Sequence, residues 1–454
     1  MSLRPPIVLA VSLLAAALPA HGDDDADFRS GLAAFNDGDY ARALETWLPL
    51  AESGDLSAMY NVALIYDEGL GVEPDKELAL HWYRQPAIEG DISAQFTMAT
   101  IYDFGDGVEE DNERALKWYE EAASQADEQA QFNLGVMYSN GEGTAIDAER
   151  ALHWYRLSAD QGYVPAQFNL GYLYDVGEIV PEDNDAALGW YHKAARAGDA
   201  DAMFAIALMH DTGDGVPVDD GRAVEWYTEA GERGHERAQF NVAIMYDLGE
   251  GTPEDNAAAL RWYEAAAAQG HEAAQVNLAV MLENGEGTDV DLGAALGWYL
   301  RAAEQGSAHA QYAIGLMYDE GKGVSEDNEL AVSWYRRAAE QGDADAQNNL
   351  GAMYDAGEGV AEDNALALHW YRLAAEQGNP VAQNNLGALY FAGEGADEDP
   401  VEAYKWFYIA ERLGNESGKH NRVASARVMD LDDIIAARRE ARAWLARFRG
   451  VAAD

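Results

Sequence analysis

The chain has 454 residues, 48% of them hydrophobic, which is enough to build a packed core and excludes a disordered chain. Its formal net charge is −51, from 81 Asp+Glu against 30 Lys+Arg, so its surface repels nucleic-acid phosphates and anionic lipid and excludes both as expected partners. Cysteine is absent, which removes disulfides, thiolate metal sites and thiol redox chemistry together.

Taken in chain order, residues 1–22 read as an export signal peptide. Arg4 supplies the positive start, Ile7 to Leu18 an apolar run, and Ala20-His21-Gly22 small residues around a cleavage point. A run of this length is shorter than the ~20 residues of a membrane-spanning helix, with an uncleaved anchor as the competing reading. No later apolar stretch approaches that length, so no membrane insertion is expected after cleavage. The expected location is the periplasm or the secreted fraction of a bacterial cell envelope. Residues 23–54 form an opening hairpin, with Gly38-Asp39-Tyr40 between two helical stretches.

From there a period governs the chain. Trp-Tyr recurs at Trp82, Trp118, Trp154, Trp190, Trp226, Trp262, Trp298, Trp334 and Trp370, and Trp406-Phe407 completes the series at the same 36-residue interval. Trp47, 35 residues before Trp82, marks a degenerate opening unit. Within one unit, Ala130, Leu134, Met137 and Tyr138 lie on one face of a first helix. Gly141 and Gly143 stop it, because glycine accepts the left-handed backbone of a helix end. Asp147 opens a second helix by capping its free N–H groups. Ala151, Trp154, Tyr155, Ser158 and Ala159 give that helix its apolar face, and Gly162 ends it. Two short amphipathic helices cannot bury their faces alone, so neighbouring units must stack. The tryptophan is expected to be a packed anchor whose truncation to alanine costs about 3–5 kcal/mol. Ile179, Ala126, His210 and Leu282 depart from the pattern, at a loop glycine, a terminal glycine and two first-helix tyrosines.

The pattern Ala346-Gln347-Asn348-Asn349-Leu350-Gly351-Ala352-Met353-Tyr354, followed by Gly357-Glu358-Gly359-Val360, resembles the Sel-one-like repeat, a relative of the tetratricopeptide repeat. Residues 55–414 then hold ten tandem repeats, and the hairpin before them is similar to a tetratricopeptide. The resemblance implies an all-α fold, a right-handed α-α superhelix (solenoid) of 36-residue helix-turn-helix repeats whose first helices line the concave side. It also implies a scaffold or adaptor role. The cysteine-rich branch of that family is not matched. Residues 415–454 are expected to hold a capping helix, with Ile434, Ala437, Ala441, Trp444, Leu445 and Phe448 on one face and Arg438, Arg439, Arg442 and Arg447 on the other. Those arginines either suit a helix C-terminus above an acidic body or form a docking element for an acidic partner.

Nothing in the chain reads as catalytic machinery, and no cofactor or metal is expected. The glycine pairs keep the repeat period and are turn punctuation, while the acidic loops lack the alternating ligand spacing of a calcium loop. Three ladders along the first helices are the candidate partner-binding residues. The aromatic ladder is Tyr60, Phe96, Phe132, Phe168, Phe204, Phe240 and Tyr312. One place further stand Asn61, Asn133, Asn169, Asn241, Asn277, Asn349 and Asn385, a position at which tetratricopeptide relatives clamp a peptide backbone. Near the helix ends follow Asp67, Asp103, Asp175, Asp211, Asp247, Glu283, Asp319 and Asp355. The competing readings are packing of one first helix on the next, asparagine bonds to a neighbouring repeat, and a solvated acidic surface. The expected function is a non-catalytic interaction scaffold binding a protein or peptide, basic by charge complementarity, in its concave groove. A structural or regulatory envelope component acting through its convex face or C-terminal helix is the alternative, and a hydrolase of cell wall or β-lactam a remote one.

Overall fold

The structure, a computed structural model, describes residues 24–450, so the expected export signal at residues 1–22 lies outside the described residues. Among the described residues there are 24 helices and no strand. They fall into two compact units, one ending at Val218 and one beginning at Asp219. The first unit holds α1 (Asp24–Asn36), α2 (Tyr40–Glu52), α3 (Leu56–Glu68), α4 (Lys76–Ile88), α5 (Ile92–Phe104), α6 (Asn112–Ser124), α7 (Glu128–Asn140), α8 (Ala148–Asp160), α9 (Val164–Val176), α10 (Asn184–Arg196) and α11 (Ala200–Thr212). The second holds α12 (Asp220–Glu232), α13 (Glu236–Leu248), α14 (Asn256–Ala268), α15 (Glu272–Asn284), α16 (Leu292–Glu304), α17 (Ala308–Glu320), α18 (Asn328–Glu340), α19 (Ala344–Ala356), α20 (Asn364–Glu376), α21 (Pro380–Ala392), α22 (Pro400–Arg412), α23 (Glu416–Ser425) and α24 (Leu431–Phe448). The chain is an all-α solenoid of 36-residue helix-turn-helix repeats, each helix from α1 to α11 and from α12 to α23 packing on the next within its unit and α24 packing on α22.

The helix ends follow from the repeated polar residues. Each of the ten second helices is preceded by an aspartate whose carboxylate accepts a backbone N–H of the first turn. A cap of this kind contributes about 1 kcal/mol. The capping residue's own N–H reaches back to the first helix: Asp147 N–H donates to Tyr138 O at 2.9 Å and Asp363 N–H to Tyr354 O at 2.9 Å. The first glycine of each loop is left-handed, as Gly141 is with φ 76°, and its N–H donates to Met137 O. The second glycine answers to a different constraint. A Cβ at Gly143 or Gly359 would collide with the backbone at Asn112 or Asn328, the first residue of the preceding repeat's second helix. These loops therefore rest directly on the neighbouring repeat. At Ile179 the backbone avoids the left-handed region, and Val180 beside it is buried.

The core corrects the expected role of the tryptophan. Tyr83, Tyr119, Tyr191, Tyr227, Tyr263, Tyr299 and Tyr335 are among the largest fully buried side chains, whereas Trp82, Trp118, Trp154, Trp190 and Trp262 are half-buried. The tyrosine points between the two helices of its own repeat. The ring presses on a first-helix residue that has no room for more: a Cβ at Gly135 would lie 2.6 Å from the Tyr155 ring and one at Gly315 2.6 Å from the Tyr335 ring. Where that place is not glycine it is alanine, as at Ala99, Ala243 and Ala279, all fully buried. The tryptophan instead turns towards the preceding repeat, as Trp262 does over Gly231. Trp47 stands 36 residues before Tyr83 and so holds the tyrosine place, not the tryptophan place; it is fully buried and its indole N–H donates to Phe28 O.

A buried amide relay, unread in the sequence, joins the repeats. Gln131 Nε2 donates across the boundary to Ala123 O at 3.1 Å, and Gln161 Nε2 donates to Gln131 Oε1 at 2.9 Å. The same arrangement recurs at Gln95, Gln239, Gln275, Gln311 and Gln347.

The C-terminal stretch holds two helices where one cap was expected. α23 takes the first-helix place of an incomplete further repeat, and α24 crosses α22. Ala437, Ala441 and Leu445 are buried there, Trp444 meets Trp406 edge-on at 5.9 Å, and Phe448, half exposed, stacks on Trp444 and covers Gly378.

Two substitutions test this packing. Ala126 is the one non-glycine residue among those described with positive φ, at 68°, standing where other repeats have glycine. Ala126→Gly is expected to stabilise the first unit by about 1 kcal/mol in urea denaturation, because an alanine side chain is strained in that conformation. Tyr155→Ala is expected to cost about 3–5 kcal/mol and Trp154→Ala clearly less in the same assay; equal losses would contradict the assignment of the tyrosine as core anchor.

Candidate partner-binding face

The three expected ladders meet at the second-helix tyrosine, two at its hydroxyl and one at its ring. The acid comes from the first helix of the same repeat. Tyr119, Tyr191, Tyr263, Tyr335 and Tyr371 donate to Asp103, Asp175, Asp247, Asp319 and Asp355 at 3.3, 3.0, 3.3, 2.9 and 3.4 Å. The asparagine comes from the first helix of the following repeat. Asn169 Nδ2 lies 3.5 Å from the Tyr155 hydroxyl, and Asn133, Asn277, Asn349 and Asn385 stand in the same relation to Tyr119, Tyr263, Tyr335 and Tyr371. The aromatic ring packs tilted against that tyrosine's ring. Phe96, Phe132, Phe168 and Phe240 lie 5.7, 5.7, 5.7 and 6.0 Å from the centroids of Tyr119, Tyr155, Tyr191 and Tyr263.

The aromatic ladder thus packs on the second helix of its own repeat and also on the start of the next first helix, where Phe132 meets Tyr163 at 5.4 Å and Phe240 stacks on His271 at 4.2 Å. Phe132, Asn133 and Asn169 are buried in this packing and offer little free surface. Phe96, Phe168, Phe240, Asn241, Asn277, Asn349 and Asn385 are half-buried and keep a side open. Asn61 is fully buried with neither side-chain atom bonded, because the place of its tyrosine is taken by Trp47, whose indole N–H is turned to Phe28.

The electrostatics follow from this geometry. Burial raises Tyr119 and Tyr191 far above the ordinary phenol value of 10.0, and the adjoining Asp103 and Asp175 push the same way. Tyr155 is an internal control. Ser139 stands where other repeats place an acid, and Tyr155, raised by burial, reaches only about 12. Burial also raises the Asp175, Asp247 and Asp355 carboxyls above 3.8, the tyrosine hydroxyl bonds partly offsetting it at each. Among the described residues no group of three or more His, Asp or Glu side chains is placed to hold a metal ion.

One sizeable groove opens on these first helices in the first unit. It encloses about 1020 Å³ over α3, α5 and α7, and its floor includes Tyr60, Ile92, Phe96 and Phe104 with Ser93, Thr97 and Thr100. The Tyr60 hydroxyl lies beside Ser93 and Thr97 across the repeat boundary. At one end Lys76 bridges Asp67 and Asp106 at 2.7 Å each, which neutralises part of the acid there. Asp127 and Glu128 line another part of the wall.

Raised tyrosine pKa values contribute stability that is complete below pH 10, the unfolded value, and lost as pH rises through the folded values. Raised carboxyl values contribute stability present below the unfolded 3.8 and lost as pH rises through the folded values. The thermal midpoint is therefore expected to rise on mild acidification from pH 7 and to fall steeply above pH 10, with tyrosinate absorbance appearing together with loss of helical ellipticity. Ionisation of all 24 tyrosines near pH 10 while the helices persist would refute the buried cluster.

Comparison with known proteins bears on the repeat. The Sel1 repeat profile matches residues 56–91, 92–127, 128–163, 164–199, 200–235, 236–271, 272–307, 308–343, 344–379 and 380–415. Among solved structures, the chain is similar to c5321, a protective antigen present in uropathogenic Escherichia coli strains displaying an SLR fold. Identity is 32% over 90% of this chain and 98% of that one, with a TM-score of 0.62. It is also similar to a Sel1 repeat protein from Oxalobacter formigenes, at 30% identity over 83% of this chain and 96% of that one, with a TM-score of 0.40. No curated protein matches it.

Proposed function

We propose, from the premise that this chain belongs to the Sel1-repeat family, that it is a non-catalytic scaffold exported to the cell envelope which holds a protein or peptide segment against its first helices. Proteins of this family are generally protein-interaction scaffolds. The observation that carries the finer reading is the groove over α3, α5 and α7, where the ladders leave aromatic faces and hydroxyls open within one cavity. Its size suits several residues of an extended segment, and its walls choose the chemistry. Tyr60, Phe96 and Phe104 accept apolar side chains, while Glu68, Asp127 and Glu128 favour a neighbouring cation. The preferred partner is a segment in which basic and aliphatic residues alternate. The chain's charge of −51 raises the local concentration of such a segment before it docks. No helix among the described residues is long and apolar enough to cross a membrane, and residues 1–22 supply the basis for export.

Binding is tested with a fluorescein-labelled peptide of alternating lysine and leucine, followed by polarisation. Ser93→Arg/Thr97→Arg places two cations in the groove and is expected to weaken binding by roughly tenfold or more, with the far-ultraviolet spectrum unchanged. Undiminished binding by this variant would remove the groove as the site. Export is checked by intact mass of the protein recovered from the envelope fraction: cleavage after residue 22 is expected, and a full-length chain confined to the cytosol would contradict it.

A further inference from the structure

The acidity of the chain has one exception, and the structure gathers it into a face. Nine of the 30 Lys+Arg residues lie between Arg412 and Arg449. On α24, Leu431, Ile435, Arg438 and Arg442 recur at i, i+4, i+7 and i+11 and so share one stripe, beside the buried stripe of Ala437, Ala441 and Leu445. Leu431 is 71% and Ile435 57% exposed, so half of the open stripe is apolar. Its other half is cationic and without ion pairs: none of Arg412, Arg438 and Arg442 makes a salt bridge among the described residues, although the chain carries 81 acids. The three guanidiniums gather instead around one phenol. Arg438 lies 5.8 Å from the Tyr408 ring centroid, and Arg442 stands beside its hydroxyl. Burial pushes Tyr408 up, but Arg442, Arg412 and Arg438 outweigh it and hold the phenol below its ordinary value. Nearby Arg422, by contrast, is closed by Glu411.

We infer that this corner of α22 and α24 is a docking site for a second copy of the chain, which supplies the missing carboxylates and an apolar surface. The complementary chemistry is present in alternate repeats. Phe104, Val176 and Leu248, 72 residues apart, end their first helices 44%, 40% and 63% exposed. Loop acids such as Glu110, Glu178 and Glu182 flank them and are exposed. A helix C-terminus adds its own partial negative charge at the same place. The arginines of α24 meet the acids, and Leu431 and Ile435 meet the exposed apolar residues. Between two copies, repulsion of the bodies is confined to about 8 Å at physiological ionic strength, so short-range complementarity decides. The contact joins different surfaces of the two chains and is heterologous, so it is able to propagate.

Sedimentation velocity of the mature chain at about 0.15 M salt, over a range of concentrations, tests the inference. Wild type is expected to shift to larger species as concentration rises. Arg438→Glu/Arg442→Glu is expected to weaken association by roughly tenfold or more, and Leu431→Ala/Ile435→Ala, which alters only exposed side chains, to weaken it independently. Circular dichroism confirms that each variant folds. Wild type that stays monomeric at every concentration, association that neither variant reduces, or binding to phosphatidylglycerol vesicles in place of self-association would each overturn the proposal.

Discussion

A tyrosine ring wedged against a glycine or alanine of its partner helix sets the geometry of nearly every repeat. Tyr155 on Gly135 and Tyr335 on Gly315 leave no space for a larger residue, so the two helices of a repeat approach only as far as ring and backbone allow. The rest of the repeat is arranged around that contact. A first-helix aromatic packs tilted against the ring, an acid from the same helix accepts the hydroxyl hydrogen bond, and an asparagine of the following repeat stands beside the hydroxyl from the other side. Burying a phenol beside a carboxylate is costly unless the hydroxyl is bonded, and the repeat supplies that bond in place of water. One side chain thereby couples the packing within a repeat to the packing between repeats.

The same coupling limits what the face can do for a partner. Residues spent on the tyrosine, such as Phe132, Asn133 and Asn169, are not available to a ligand. What remains open is the outer edge of the ladders and those places where the pattern varies. In the first unit the variation is concentrated. Thr97 replaces the asparagine, Phe104 stands exposed at the helix end, and Lys76 ties two aspartates together, so the groove there differs in chemistry from a generic repeat surface. Specific recognition by a repeat array has to come from such departures, because identical repeats offer identical contacts.

Charge is distributed with the same economy. Ten aspartates cap second helices and a further series binds tyrosine hydroxyls, so much of the acidity has a structural address before any partner is considered. The cationic face of α24 is the counterpart: arginine where carboxylates are abundant in the chain, yet among the described residues none is brought within ion-pair distance of Arg412, Arg438 or Arg442.

The period, the two helices per repeat, the glycine stops and the aspartate caps could all be read from the residues, because each depends on local backbone chemistry that a single segment carries with it. The position of the second-helix acid relative to its helix, for example, is fixed by the cap geometry alone. Which of two adjacent aromatics turns inward was not legible. Trp154 and Tyr155 lie about 100° apart on one helix, and either could face the partner until the small residue at 135 and the acid or serine at 139 are known to lie opposite. The same uncertainty misplaced Trp47 by one residue, hid the Gln131 relay behind a polar residue that looks like surface, and merged α23 and α24 into one cap. Local signals set where each helix starts and stops. The faces that meet, and therefore the residues left for a partner, were decided only when helices distant in sequence competed for the same volume.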